Sequence, residues 1–305
     1  MIKYDHQQKE AKYTFDYRKT KKKMIKRCLD ILTFDIEVTS AWMTDKGLIP
    51  YEPGHPAEYW NSMDCYSLPY IWQFSFNDTV YYGRDIKTFK QVLHDLPSDQ
   101  TYVIYVHNLS YEICFLIDFL KVKKLFARSP HKPMYVIFEE FPHITFKCSY
   151  ILMNMSLEKW GEQLGIPKLT GYLDYNKCLR TPWTVLDDLE LKYCERDCIV
   201  VYEGIKDLLK EYKTIYDIPL TSTGKVRRKV KKKVTNDYEY MKEVKRTIPK
   251  DANEYRLLQR VFQGGYTHAN RKYLDEIVTG EIRHKDIASS YPFTLCAYKF
   301  PYNKW

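Results

Sequence analysis

The chain has 305 residues, enough to bury a substantial core, and its 45% apolar content with only 11 glycines excludes a disordered or collagen-like polymer. It carries a formal charge of +9, and no run of about 18 apolar residues is available to span a bilayer. Eight cysteines in this length fall short of a disulfide framework, and the polar start Met1 to His6 lacks the apolar centre of an export signal, so a reducing, cytoplasmic setting is expected.

In chain order, residues 1–27 read as a basic lead-in, with seven Lys/Arg between Arg18 and Arg27. Cys28 to Val38 is rich in β-branched and aromatic residues and predicts a strand. Tyr70 to Phe76 and Thr79 to Tyr82 predict two more, turned at Asn77-Asp78, and Thr101 to Val106 a further one. Ser110 to Leu120 places Ile113, Leu116, Ile117 and Leu120 at helical spacing. A strand pair is expected between Met134 and Ile151, then a short helix opened by Ser156. A longer helix is expected from Thr184, with Asp187 and Asp188 in its first turn. Strands with helices packed on them give an α/β (α+β) fold, a mixed sheet flanked by helices. The polar turn residues from Pro219 to Gly224 end a domain spanning 28–218, and 219–251 reads as a basic linker with seven Lys/Arg from Lys225 to Lys233. Such runs suit a polyanion, because each neutralised phosphate releases a counterion, and they equally suit a solvated loop. A helix from Ala252 to Val261 precedes Gly264-Gly265 in the last segment, 252–305.

Asp35 and Glu37 alternate on the first strand, so their side chains share a face. Burying two acids side by side is costly unless a cation or proton intervenes, and oxygen ligands at this density favour magnesium or manganese over zinc. The competing reading is a strand end with two solvated acids. Glu112, opening the helix after a strand, and Asp197, one helical turn from Tyr193, complete a set of four acids. Four acids and a phenol suit two-metal phosphodiester hydrolysis. Cys194 and Cys198 are one turn apart, but no second Cys/His pair follows at zinc-site spacing.

Asp35-x-Glu37, Tyr105-x-His107-Asn108-x-x-Tyr111-Glu112 and Tyr193-x-x-x-Asp197 resemble the three exonuclease motifs of family B DNA polymerases. Ser156-Leu157-Glu158-Lys159-Trp160 resembles a motif of the protein-primed bacteriophage branch. Phe262-Gln263-Gly264-Gly265 is similar to that family's exonuclease–palm linker, and Asp286-Ile287-Ala288-Ser289-Ser290-Tyr291-Pro292 to its first palm motif. The resemblance implies an RNase H-like 3′→5′ exonuclease domain over 28–218 and the start of a polymerase palm over 252–305. It implies that Asp35, Glu37, Glu112 and Asp197 hold two Mg²⁺ or Mn²⁺ ions and that Tyr193 orients the water. Tyr105, His107, Asn108, Tyr111, Ser156 and Leu157 would hold a frayed single-stranded 3′ end. Gly264 and Gly265 would lie along duplex DNA, Asp286 would be a palm metal ligand, and Tyr291 would pack under the incoming sugar.

Some positions depart from the pattern. Glu112 stands where the family has Asp, Phe262 where it has Tyr, and an ungapped match puts Thr170 at the position of a catalytic lysine, which leaves Lys168 as the candidate. Neither the nucleotide-binding helix nor the second palm motif follows Pro292, so the chain by itself is expected to be a proofreading exonuclease that does not polymerise. DNA is the expected partner, and the resemblance extends the list to a second chain carrying the rest of the palm and a terminal-protein primer. The alternative function is a DNA-binding scaffold of a split polymerase with a weakened exonuclease.

Overall fold

The computed structural model describes residues 1–5, 12–21, 23–45, 47–50, 64–167, 169, 180–235, 237–249, 251–261, 277, 279–281 and 290–299. The alternating pattern around Asp35 forms the strand it predicts: β4 (Leu32–Thr44) pairs antiparallel with β6 (Asp64–Phe76) along nearly its whole length. In β4, Leu32, Phe34 and Ile36 are buried on one face, while Thr33, Asp35 and Glu37 point to the other. In β6, Trp72 and Phe74 alternate in the same way with Gln73 and Ser75.

The remaining strands are β1 (Ile2–Lys3), β2 (Phe15–Lys19), β3 (Met24–Cys28), β5 (Gly47–Pro50), β7 (Thr79–Gly83), β8 (Gln100–Val106), β9 (Val122–Ala127), β10 (Pro133–Phe138) and β11 (Ile144–Cys148). They form one mixed sheet in the order β1-β7-β6-β4-β8-β11-β10-β9, with β5 on β4 and the β2–β3 hairpin attached through β3 to β8. β4 runs parallel to β8, and β8 parallel to β11, so the ends of the two central strands open on the same edge.

The first 27 residues, expected as a lead-in outside the domain, therefore supply three strands of it. Two cations of the basic run there are paired, Arg27 with Asp16 at 2.5 Å and Lys26 with Asp99 at 2.9 Å. Tyr4 and Tyr13 pack against the core. Periodicity alone had no means of showing this pairing, because the hairpin is mostly exposed and its partner β8 lies far along the chain.

Helices cover both faces. Against Phe34, Trp72 and Phe74 pack α1 (Phe89–Asp95) and α2 (Leu109–Leu116), with Phe89 stacked on Phe34 at 4.0 Å between centroids. Against the other face, around Val103 and Tyr105, pack α3 (Ser149–Met153), α4 (Leu157–Gln163) and α5 (Asp188–Leu208). Gly204 of α5 has no room for a side chain: a Cβ there would lie 2.0 Å from the Trp160 ring of α4. The long helix begins at Asp188 and not at Thr184; Asp187 caps it, accepting from Leu189 and Glu190 N–H while Glu190 accepts from Asp187 N–H.

The chain divides into two compact units, Met1–Arg228 and Lys229–Trp305. The sheet and α1 to α5 belong to the first. The helix α6 (Ser222–Thr235) runs through the junction and carries the second basic run. The second unit contains α7 (Tyr238–Thr247), α8 (Ala252–Val261) and α9 (Ser290–Ala297). Among the described residues, no helix is long and apolar enough to cross a membrane.

Candidate functional site

The polar face of β4 lies beneath α5. Thr33 Oγ1 and Ser75 Oγ are hydrogen-bonded at 2.6 Å, and Thr33 also donates to the Cys198 carbonyl at 3.4 Å, which ties strand to helix. One strand position further, Asp35 faces Gln73 across the ladder, and the next residue on this face is Glu37. A register shift follows Glu37, so the strand kinks immediately beyond the two acids. From α5, Asp197 comes down onto the same spot. Asp35, Glu37 and Asp197 each offer a carboxylate oxygen, and these atoms all lie within 4.8 Å of one another. Glu37 and Asp197 are buried and Asp35 is half-buried.

Two carboxylate charges 4.8 Å apart repel by about 3.5 kcal/mol at an effective dielectric constant near 20. Three such pairs, mostly out of water, are not tolerated without positive charge or bound protons. Glu112, in the first turn of α2, lies outside this group of three but close enough to feel the charge of Glu37. Its side chain is 4% exposed, and burial, followed by the charge of Glu37, pushes its carboxyl well above the usual carboxylate range. Its Oε2 is buried with no hydrogen-bond partner among the described residues. A buried oxygen left unsatisfied beside three converging acids fits a divalent cation of the Mg²⁺ or Mn²⁺ kind, whose ligands are hard oxygens. The thiols nearby do not compete for it: burial and the charges of Glu37 and Asp35 hold Cys194 and Cys198 in their neutral form.

Tyr193 lies one turn before Asp197 on α5, buried among Tyr70, Ile71, Leu186 and Cys194. Tyr111 is exposed on α2, where burial of its hydroxyl and the charges of Glu112, Glu37 and Asp35 raise its pKa to about 12. Tyr105 is the clear correction. It is 1% exposed, and its hydroxyl donates to the Ile215 carbonyl at 3.1 Å, so its ring fills the layer beneath α5 and offers no face to a base. The alternation of β8 explains this, since Val103 and Tyr105 share the face that the helices cover.

A groove of about 570 Å³ brings His107, Asn108, Ser156 and Leu157 together. His107 Nδ1 is 3.0 Å from Ser149 Oγ, and its ring packs against Tyr150 and Trp160. Ser156 caps α4 through Lys159 N–H. The groove gains Arg128, His131 and Lys132 from the β9–β10 turn, and Asn154, none of which the sequence reading selected. Asn108, His131 and Asn154 all have positive φ, at 71°, 58° and 56°. Asn and His adopt this region at little cost, and Asn108 and Asn154 do so as helix-end residues, so these conformations set the turns that line the groove. Their spacing in sequence carries no motif, because the turn reaches the groove only through sheet pairing.

Lys168, Gly264, Gly265 and Asp286 lie outside the described residues. Tyr291 is exposed on α9.

No protein-family model matches this chain, and no curated protein matches it. Solved structures do. Phi29 DNA polymerase complexed with primer-template DNA and incoming nucleotides superposes with a TM-score of 0.55 at 14% identity, over 80% of this chain and 40% of that one. The same polymerase complexed with single-stranded DNA gives 0.54 at 14%, over 80% and 41%. The likeness establishes a shared fold, a large mixed sheet flanked by helices, and the chain spans about 40% of the length of those polymerases.

Proposed function

We propose that the chain is the N-terminal part of a DNA polymerase of the protein-primed family B type, acting as a divalent-metal 3′→5′ exonuclease on DNA ends. The observation that carries this reading is the convergence of Asp35, Glu37 and Asp197, with Glu112 beside them, in a fold like that of a DNA polymerase. In this reading the four acids hold two Mg²⁺ or Mn²⁺ ions, which when bound supply the positive charge that activates a water and steadies the leaving 3′-oxygen.

The chain's own residues do the rest. Glu112, whose pKa burial raises, would have to be ionised to hold a cation, so hydrolysis is expected to fall as pH is lowered. Tyr193 orients the attacking water through its hydroxyl. His107, Asn108, Ser156 and Leu157 hold the last nucleotides, and Tyr111 supplies an exposed ring for a base. Lys168 remains the candidate for the catalytic lysine. Gly264, Gly265, Asp286 and Tyr291 retain their proposed roles at a linker and palm, with a second chain or a terminal protein as proposed partners.

The test is digestion of a single-stranded oligonucleotide labelled at its 5′ end, with Mg²⁺ or Mn²⁺. Stepwise shortening from the 3′ end, abolished by EDTA and by Asp35→Ala/Glu37→Ala, is the expected result. A folded chain that binds the oligonucleotide and leaves it intact with either metal contradicts the reading in favour of a scaffold.

A further inference from the structure

A second cavity, of about 870 Å³, lies away from the acids, over the outer part of the sheet where β7 runs into α1. Its size falls in the range of about 300–1,000 Å³ usual for small-molecule sites. Its polar wall is positive: Lys3, Arg84, Lys87 and Lys90 all line it. Lys90 pairs with Glu140 at 2.6 Å, but among the described residues Lys3, Arg84 and Lys87 have no carboxylate partner. Asp85 is the one acid in the lining, and its carboxylate is engaged, accepting from Lys87 N–H.

Arg84 is fixed in place. Its Nε donates to the Tyr70 carbonyl at 2.8 Å and its Nη2 to the Thr181 carbonyl at 2.9 Å, so a half-buried guanidinium is held by neutral partners only. The floor is shaped to match, for Gly83 lies flat against Trp72, where a Cβ would meet the ring at 2.3 Å. The rim carries Trp183, 86% exposed. A large aromatic face left in water on the same cavity as an anchored cation without a carboxylate partner is the combination that takes a flat ring and an anion from one ligand.

We propose that this cavity binds a nucleotide unit, with its base against Trp183 and its phosphate on Arg84, Lys87 and Lys3. Either a free nucleoside monophosphate or a nucleotide within a DNA strand has this chemistry. The site is independent of the acid cluster, and its test does not require hydrolysis. Equilibrium dialysis with labelled dAMP, and anisotropy of a labelled oligo(dT) in Ca²⁺, would be measured on the full chain, on Trp183→Ala and on Lys3→Ala/Lys87→Ala. The last two change exposed side chains, and Arg84 is left alone because it also holds two backbone segments. Lys206→Ala/Lys210→Ala serves as a reference for lost charge, with the cavity intact.

Binding of dAMP that weakens at least tenfold in both cavity variants and not in the reference assigns the site to a free nucleotide. If dAMP does not bind and the same pattern appears with oligo(dT), the site takes a strand. Binding of both ligands unaffected by the cavity variants, or weakened equally by Lys206→Ala/Lys210→Ala, overturns the proposal.

Discussion

Glu112 is the residue whose state says most about the site. Burial, with the charge of Glu37 adding to it, raises the pKa of its carboxyl above the unfolded value. The stabilisation from keeping that proton is complete below the ordinary carboxylate range and is lost as pH rises through the folded pKa. In EDTA, the melting temperature is therefore expected to decline as pH is raised above that range. Glu112→Gln should flatten this decline and raise the metal-free melting temperature, while removing hydrolysis; thermal melts at several pH values check the first, oligonucleotide digestion the second. A decline that persists unchanged in Glu112→Gln would place its origin elsewhere. Tyr111 gives a companion prediction: Tyr111→Ala should slow digestion of single strands and leave the melting temperature within about 1 °C, because its ring is exposed and surface changes cost little.

Two elements hold the acids, and each has a weak point that can be tested. The capping box at Asp187 fixes the start of α5, the helix that delivers Tyr193 and Asp197. Asp187→Ala should cost about 1 kcal/mol, or about 2–4 °C in a unit of this size, with hydrolysis retained at low temperature. Gly204→Ala should be worse, about 1–3 kcal/mol, because Trp160 must move. Both are read from thermal melts, and a Gly204→Ala protein as stable as the parent would contradict the packing described. Much of this element level was legible in the sequence. Asp35-x-Glu37 on an apolar strand and Asp197 one turn from Tyr193 are local patterns, and period two or 3.6 assigns their faces. Gln73 and Ser75 were readable on the same grounds, as polar positions alternating with Trp72 and Phe74. What was not legible depends on distant pairing. The inward turn of Tyr105 follows from which face α5 covers, the three N-terminal strands from pairing with β7 and β8, and Arg128 and His131 from the path of the β9–β10 turn.

At the scale of the molecule, the large sheet acts as the rigid frame that brings β4, α2 and α5 to one point. Because the acids repel one another, the fold without cations carries a destabilising charge cluster that divalent ions relieve. Mn²⁺ at a hundred times its dissociation constant should add about 2.7 kcal/mol per bound ion, so about 5 kcal/mol for two, or about 10–20 °C in melting temperature. Asp35→Ala/Glu37→Ala should remove this metal-dependent gain and should itself be no less stable than the parent in EDTA. The same frame places the cavity at Trp183 and the acid cluster in separate regions of one unit, so nucleotide binding at the first and metal binding at the second are expected to be lost independently.

The most direct measurement is a Mn²⁺ titration of the full chain followed by electron paramagnetic resonance, counting bound ions. The account predicts two ions per chain, both lost in Asp35→Ala/Glu37→Ala, with Glu112→Gln losing at least one. A chain that binds no Mn²⁺, or binds it equally well without Asp35 and Glu37, would contradict the assignment of these acids as a metal centre.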